Sequence, residues 1–527
     1  MKKQLLLSLL ILCFGSVYAQ NITKITSLPG EYWWGGVVAL GSDMPYVKPL
    51  SSYDLGTQND NNQVVPLLVS NKGRYVWSDY PFAFEVTASE IIMRSEHEKV
   101  AVQTTGTTLR EAYLAACREH FKPTGRLPEE RFFTMPQYNT WIELMYNQNQ
   151  DDILTYAKHI LDNGFPGGVL MIDDNWQKHY GNFEFKPDKF PNPKAMVDEL
   201  HRLGFNVMLW ICPFVSADSS EFRFLRSKGY LLKDKSGNPL MLKWWNGFSA
   251  CYDLTNPEAA AYFTSVLKGV QRDYGIDGFK FDAGDNGLYP ASEINSFKKD
   301  ALPVDHTEAW ARIGLEFPFN EYRACWKMGG EPLVQRLGDK RYSWDAVRSL
   351  IPEMIAAGLL GYSYTCPDMI GGGQFKSFLN LDSDKINQEL IVRSAQVHAL
   401  MPMMQFSVAP WRVLNEANLG IVKEMARLHE RMGDYIIQCA RESARTGEPI
   451  VRHMEYAFPG EGFATCNDQF MLGNTYLVAP VVTEKNMRTV KLPKGTWKDD
   501  LGKKHKGGRT IEIDVPLNRL PYYERIK

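Results

Sequence analysis

An amphipathic helix, then a glycine, then an apolar strand: the chain repeats this order three times in succession. Ile153, Leu154, Ala157, Ile160 and Leu161 fall on one helical face within 151–163, Gly164 closes that helix, and 169–172 reads as a buried strand. Asn192 caps a second helix with Pro193 at its first position, Gly204 stops it, and the apolar run 207–211 follows. Asn256 and Pro257 repeat the cap, Gly275 ends the helix after Tyr274, and 278–281 leads into Asp282. Parallel strands need crossovers of this kind, so the repeat points to a parallel α/β architecture. Ser343 can cap a further helix as far as Ala357, with Gly358 ending it and a strand at 359–364. Runs at 397–404 and 449–454 can supply two more strands, enough for an eight-stranded (β/α)8 TIM barrel. Carboxylates at several strand ends favour that closed ring over an open sheet, which gathers its ligand at one switch point.

The chain has 527 residues, too many for one hydrophobic core. Residues 20–128 carry short β-prone runs at 63–69, 74–76 and 82–86 broken by turn formers, the pattern of an N-terminal β-sandwich that ends in a helical link near 109–121. Trp33-Trp34-Gly35-Gly36 near its start is either core or a loop reaching the barrel mouth. The barrel then occupies 129–458 with an excursion at 216–250 after its third strand, and 459–527 returns to short alternating runs as a small C-terminal β-domain. Residues 1–19 place Lys2 and Lys3 before an apolar run, then Val17-Tyr18-Ala19. This is the layout of a signal peptide cleaved after Ala19, too short to span a bilayer, and it implies a secreted or periplasmic protein.

A net charge of -2 without a dense basic run argues against nucleic acid or an anionic membrane as partner, and no later stretch is long enough for a membrane span. Cys13 falls in the leader, and the remaining seven cysteines are scattered without a Cys-x-x-Cys pair. They indicate neither a zinc site nor a disulfide framework, so most are expected as buried thiols, with one or two bridges left open.

Asp173, Asp174, Asp282, Asp339 and Asp368 all stand at or near expected strand ends, where a barrel would gather them at one rim. Asp282 is the candidate nucleophile. Lys280, two residues earlier, projects to the same side of an extended strand and would keep that carboxylate ionised, or form a structural Lys–Asp pair with it. No His-Glu metal motif, phosphate loop or serine elbow accompanies these aspartates, so neither cofactor nor metal is called for. Carboxylates without such companions fit glycoside hydrolysis, in which one attacks the anomeric carbon and another protonates the departing oxygen. A calcium or magnesium site is the alternative, which nothing in the spacing demands.

With Asp282 in Lys-Phe-Asp, Asp339 in Arg336-Leu337-Gly338-Asp339 and Asp368 in Cys-Pro-Asp-Met-Ile-Gly-Gly, the chain resembles glycoside hydrolase family 31. The likeness runs from about Arg131 to the C-terminus and includes Asp468-Gln469-Phe470 through Ala479-Pro480. It implies a β-sandwich, a (β/α)8 barrel with an insertion after the third strand, and C-terminal β-domains. It also implies Asp282 as nucleophile, Asp339 as general acid/base, Asp368 as a sugar-binding aspartate, and Arg323 as the arginine upstream of the acid/base. Three positions depart from the family's glucose-acting members: Lys280 and Arg336 replace tryptophans, and Ser407 stands where a seventh-strand histidine is expected. Asp173-Asp174-Asn175-Trp176 is similar to the Asp-Asp-Gly-Trp of distantly related α-galactosidases, and the chain looks closer to the branch with the myogenesis-regulating glycosidase and bacterial α-galactosidases.

What the resemblance implies is a retaining, exo-acting α-galactosidase whose partner is an oligosaccharide or glycoconjugate with a terminal α-linked sugar. Asp282 would attack C1 while protonated Asp339 delivers its proton, and the two carboxyls would lie about 5–5.5 Å apart. Negative charge near Asp339 is expected to raise its pKa. Lys280 and Arg323 would hold Asp282 and the sugar hydroxyls, Asp174 beside Asp173 would accept from O4 and O6, and Trp245 would wall the apolar sugar face. Trp210 and Arg336 complete the expected sugar contacts. An α-glucosidase or α-xylosidase, a transglycosylase and a non-catalytic sugar-binding relative stay open on the residues alone.

Overall fold

Eight parallel strands form the centre of the computed structural model, which describes residues 21–58, 62–379 and 386–527. The leader expected over 1–19 lies outside the described residues. In chain order the strands are β1 (Gln137–Asn139), β2 (Val169–Ile172), β3 (Asn206–Ile211), β4 (Gly278–Phe281), β5 (Phe319–Tyr322), β6 (Gln335–Arg336), β7 (Thr365–Cys366) and β8 (Gln405–Phe406). They pair in the order β7-β6-β5-β4-β3-β2-β1-β8. A bridge between Met369 and Gln405, with the Ile370 N–H donating to the Gln405 carbonyl at 2.8 Å, brings the two end strands together. The result is a nearly closed (β/α)8 barrel.

The repeated helix signals act as their chemistry dictates. Asn149, Asn192 and Asn256 accept from backbone N–H groups in the first turns of Gln150–Asp162, Pro193–Arg202 and Pro257–Tyr274, and Gly275 takes φ 79° at the third helix's end. Ser343 caps Trp344–Leu359 in the same way. Gly358 does not end that helix. It lies inside it, where an added Cβ would stand 2.8 Å from the Val451 carbonyl, so the glycine serves close packing. The strand expected at 359–364 therefore shifts to β7.

The other differences share one cause. β1, β5 and β6 read Gln-Tyr-Asn, Phe-Asn-Glu-Tyr and Gln-Arg, without the apolar run that marks β2 and β3. Gln405 of β8 donates across the interior to Gln137 of β1 at 2.9 Å and to Glu321 of β5 at 2.7 Å. Part of the barrel is thus filled by polar side chains that hydrogen-bond one another, which apolar patterning does not register. The run 397–404 belongs mainly to the end of helix Gln388–Ala399 and the turn before β8, and Val451–Arg452 pairs antiparallel with Phe470–Leu472 in a six-stranded C-terminal sheet.

Ahead of the barrel, two antiparallel sheets stand. One pairs Asn21–Thr26, Glu90–Ser95, Ala83–Val86 and Leu50–Asp54, and the other Trp33–Val37, Gln63–Ser70, Arg74–Trp77 and Ala101–Thr104. Trp33 and Trp34 are buried in a strand, the core alternative of the two. Cys325–Trp326, just after β5, joins the second sheet parallel to Gln63–Ser70, so a barrel segment is stitched into the sandwich. The excursion after β3 contains helix Ser220–Lys228 and the hairpin Leu242–Trp244/Gly247–Cys251. Cys117, Cys212, Cys251, Cys325, Cys366, Cys439 and Cys466 are free thiols, six of them buried. Among the described residues no helix is long and apolar enough to cross a membrane.

Gly278 opens β4 against Phe319 of β5, and a Cβ there would fall 1.9 Å from the Phe319 carbonyl oxygen. Gly278→Ala is expected to destabilise the protein by about 1–3 kcal/mol in denaturant titrations. Gly420→Ala, exposed within helix Glu416–Thr446 and with no atom within 4 Å of the new methyl, is expected to stabilise it by about 0.5–1 kcal/mol.

Candidate active site

β4 delivers Asp282 to the rim, where its backbone N–H donates to the Ile211 carbonyl of the neighbouring strand at 2.9 Å. One carboxylate oxygen accepts from the Trp210 indole N–H at 2.7 Å and the other from the Ala283 N–H at 2.9 Å. Trp210 is only 1% exposed, so it acts as a fixed donor that orients Asp282. Register explains the approach: Trp210 on β3 lies opposite Lys280 on β4, which lies opposite Glu321 on β5. Lys280 does not pair with Asp282 as the spacing suggested. Its ammonium donates to Asp173 of the β2 loop at 2.6 Å, buried on both sides.

Asp174, beside it, accepts on one oxygen from the Tyr180 hydroxyl at 3.2 Å and from the Asn246 amide at 2.9 Å. Its other oxygen is buried and has no partner among the described residues. Burial, with the negative Asp173 and Asp282 nearby, pushes the carboxyl up to about 7.

Arg336 lies at the end of β6, 2% exposed, among three carboxylates. One guanidinium nitrogen donates to Asp368 at 2.6 Å and reaches Asp339 at 2.9 Å, while Nε stands 3.6 Å from Glu321. Asp368, a non-glycine residue at φ 71°, also accepts from the Lys340 and Gly373 N–H groups at 2.7 and 3.0 Å, so both its oxygens are engaged. Asp339 is a third exposed at the mouth. The expectation that negative charge raises its pKa is reversed: burial pushes it up, but Arg336, with Arg323 and Lys280 beyond, outweighs burial and holds it well below the ordinary range. Asp368, deeper and beside Asp339, is pushed up by burial against the pull of Arg336. Position thus moves the two aspartates in opposite directions.

Arg323 follows β5. Its Nε donates to Asp285 at 2.9 Å and lies 3.9 Å from Asp282, and its guanidinium covers the Trp245 ring at 5.1 Å. Trp245 is 46% exposed at the mouth. Asp339, Arg323, Lys340, Asn62 and Gln374 line a cavity of about 340 Å³. A larger one, about 830 Å³ between helices Pro257–Tyr274 and Pro303–Ile313, shares no residue with this rim. Ser407 follows β8 rather than a seventh strand, is fully buried, and accepts from the Ile142 N–H at 2.8 Å. Among the described residues no group of three or more His, Cys, Asp or Glu side chains could hold a metal ion.

Asp285, Glu321, Tyr180 and Asn246 escaped the sequence reading. Asp285 closes the Phe-Asp-Ala-Gly-Asp run, a signal that was within reach, whereas Glu321 sits in a strand with no apolar pattern and Asn246 reaches Asp174 from 72 residues away.

An aspartate raised on folding binds more protons folded than unfolded, so its contribution to stability falls as pH climbs from about 4 to about 7. Asp174→Asn is accordingly expected to gain about 2–4 kcal/mol relative to wild type between pH 4 and pH 8, measured by denaturant titration at both ends. A constant gap would refute the raised ionisation.

Comparison with known proteins bears on this arrangement. The pattern of the glycosyl hydrolases family 31 TIM-barrel domain matches residues 134–439, and that of the family's C-terminal domain matches 447–526. The chain is 32% identical over 434 residues to the myogenesis-regulating glycosidase of Mus musculus, covering 79% of this chain and 60% of that protein. It is 25% identical over 411 residues to an α-xylosidase of Emericella nidulans, covering 73% and 51%. The chain thus spans between half and two thirds of the length of these relatives. In structure it superposes on a Flavobacterium johnsoniae family 31 dextranase with a TM-score of 0.83 at 21% identity, over 96% of this chain and 66% of that one. A soil-metagenome α-xylosidase gives 0.81 at 22% identity, over 96% and 79%. With barrel and C-terminal patterns together running from residue 134 to 526, the chain belongs to glycosyl hydrolase family 31.

Proposed function

We propose that this chain is a retaining, exo-acting α-glycoside hydrolase that releases terminal α-linked galactose. The observation behind it is the placement of two rim carboxylates under opposite control: Asp282 oriented by the Trp210 indole, and Asp339 held by Arg336 at the open mouth. Asp282 attacks C1 and the C1–O bond breaks as Asp339 gives its proton to the departing oxygen. Asp339 then takes a proton from water, whose oxygen displaces Asp282 from C1 and leaves the α configuration intact. This course needs the two carboxyl groups about 5–5.5 Å apart, with no water between nucleophile and sugar.

The galactose assignment rests on what surrounds the sugar site. Lys280 and Arg336 replace two tryptophans of the family's glucose-acting members, Ser407 is spent on a backbone N–H, and Asp174 keeps a buried oxygen able to accept from a sugar hydroxyl. Trp245 offers the apolar wall and Arg323 its polar edge. α-Xylose and α-glucose are the competing sugars, since relatives named α-xylosidase and α-glucosidase align over 73% and 76% of the chain.

A panel of aryl α-galactoside, α-glucoside and α-xyloside, with the product anomer followed by NMR, decides the sugar. The galactoside is expected to turn over fastest and to give α-galactose first. Asp282→Asn is expected to lower kcat by roughly 10³-fold or more while leaving sugar binding measurable by calorimetry. Turnover of the xyloside or glucoside alone would sink the galactose assignment, and a first-formed β anomer would sink the two-step course.

A further inference from the structure

Arg336 presents a contradiction to the chemistry just described. A general acid must begin protonated, yet a guanidinium 2.9 Å away holds Asp339 ionised. The same guanidinium shows where relief can come from. Among the described residues its buried Nε has no hydrogen-bond partner, and neither has Oε1 of Glu321. The two unsatisfied atoms face each other across 3.6 Å, one a donor and the other an acceptor. Burying such a pair unmade is costly for both groups, so the contact is one short step from being favourable. Closing it to about 2.9 Å takes a movement of under about 1 Å.

Glu321 is built to be the fixed end of that step. It is fully buried on β5, its second oxygen held by Gln405 at 2.7 Å, with Lys280 opposite it in register on β4. Arg336 is the end with a choice of partners, because its guanidinium is shared among Glu321, Asp368 and Asp339, with one nitrogen also donating to the Leu337 carbonyl at 3.1 Å. The other charged groups acting on it are Asp282 and Lys280, and the Cys366 thiol lies opposite it in register on β7. None of these supplies an acceptor facing Nε.

We propose that Glu321 is a positioning residue: it draws Arg336 about 1 Å into the barrel, closing the Nε contact and withdrawing the guanidinium from Asp339, which is then free to take up the proton it delivers to the leaving group. The step moves no covalent bond. One proton passes from solvent to Asp339, and Arg336 exchanges one carboxylate for another. The inference rests on the acid role proposed for Asp339, and it adds that a residue outside the sugar site governs when that role is available.

Glu321→Gln keeps the shape and the Gln405 side but removes the anionic pull on Nε. With the full-length protein, hydrolysis of methyl α-galactoside, whose leaving group needs a proton, is expected to fall about 10–100-fold in kcat/KM. α-Galactosyl fluoride, which departs without one, is expected to stay within about threefold, and the basic limb of the pH profile for the methyl glycoside is expected to move to lower pH. If another sugar wins the panel, its methyl glycoside and fluoride replace these. Equal losses on both substrates, or no loss on either, would overturn the proposal. Crystal structures of the wild type and of Asp339→Asn, whose amide stands in for the protonated acid, both at about pH 8, give a readout independent of turnover. The Nε–Glu321 gap is expected to close in the variant as the guanidinium leaves position 339, and an unmoved Arg336 overturns the clamp. A wild type that hydrolyses no α-glycoside would refute the proposed activity, and the crystal pair would still decide the clamp.

Discussion

A single guanidinium sits at the junction of fold and chemistry. Arg336 is almost wholly buried where β6 ends, and its contacts reach β5 through Glu321, the loop after β7 through Asp368, and the mouth through Asp339. A buried cation without partners costs several kcal/mol, and removing one partner of a buried pair is costly for the same reason. Arg336 therefore needs its carboxylates, and they need it. Lys280 repeats the arrangement with Asp173 one level around the ring. Counted together, Asp173, Asp174, Asp282, Asp285, Glu321, Asp339 and Asp368 outnumber Lys280, Arg323 and Arg336. Burial raises Asp174, Asp285, Glu321 and Asp368 together, while Arg336, with Arg323 and Lys280, keeps Asp339 low. The rim is a cluster in which position, not residue type, decides how readily each acid takes a proton.

That division explains which parts of the molecule could be read from the chain. Helix caps and glycine stops are local signals, so Asn192, Asn256 and Gly275 act as the sequence suggests. β2, β3 and β4 were legible because buried parallel strands read as apolar runs. β5, β6 and β8 were not, since Glu321, Arg336 and Gln405 belong to a polar interior that only makes sense once the ring brings them together. The rim aspartates were legible as strand-end residues, but their partners were not. Lys280 shares a strand face with Asp282 and still chooses Asp173, which comes from another strand 107 residues away. The sign of the field at Asp339 was misread for the same reason: nearby acids are visible in the sequence, whereas the distance to Arg336 is a property of the fold.

The sandwich ahead of the barrel takes part in this network as well. Gln63 sends its side-chain N–H groups to the Arg323 and Arg336 carbonyls, at 2.7 Å each, and Asn62 adds a contact to the Arg323 carbonyl at 3.1 Å. Both arginines that face the rim carboxylates are thus held at the backbone by one N-terminal strand. The pairing of Cys325–Trp326 with that same strand continues the attachment two residues beyond Arg323. Sheet register in the sandwich is therefore transmitted to the angle at which the two guanidinium groups leave the barrel wall. A side chain on a loop alone would carry several ångströms of freedom, whereas reaction geometry tolerates well under one. On this reasoning the first sheet is part of the machinery that places charge at the mouth, and a barrel without it would keep its aspartates but lose the fixed backbone from which Arg323 and Arg336 reach them.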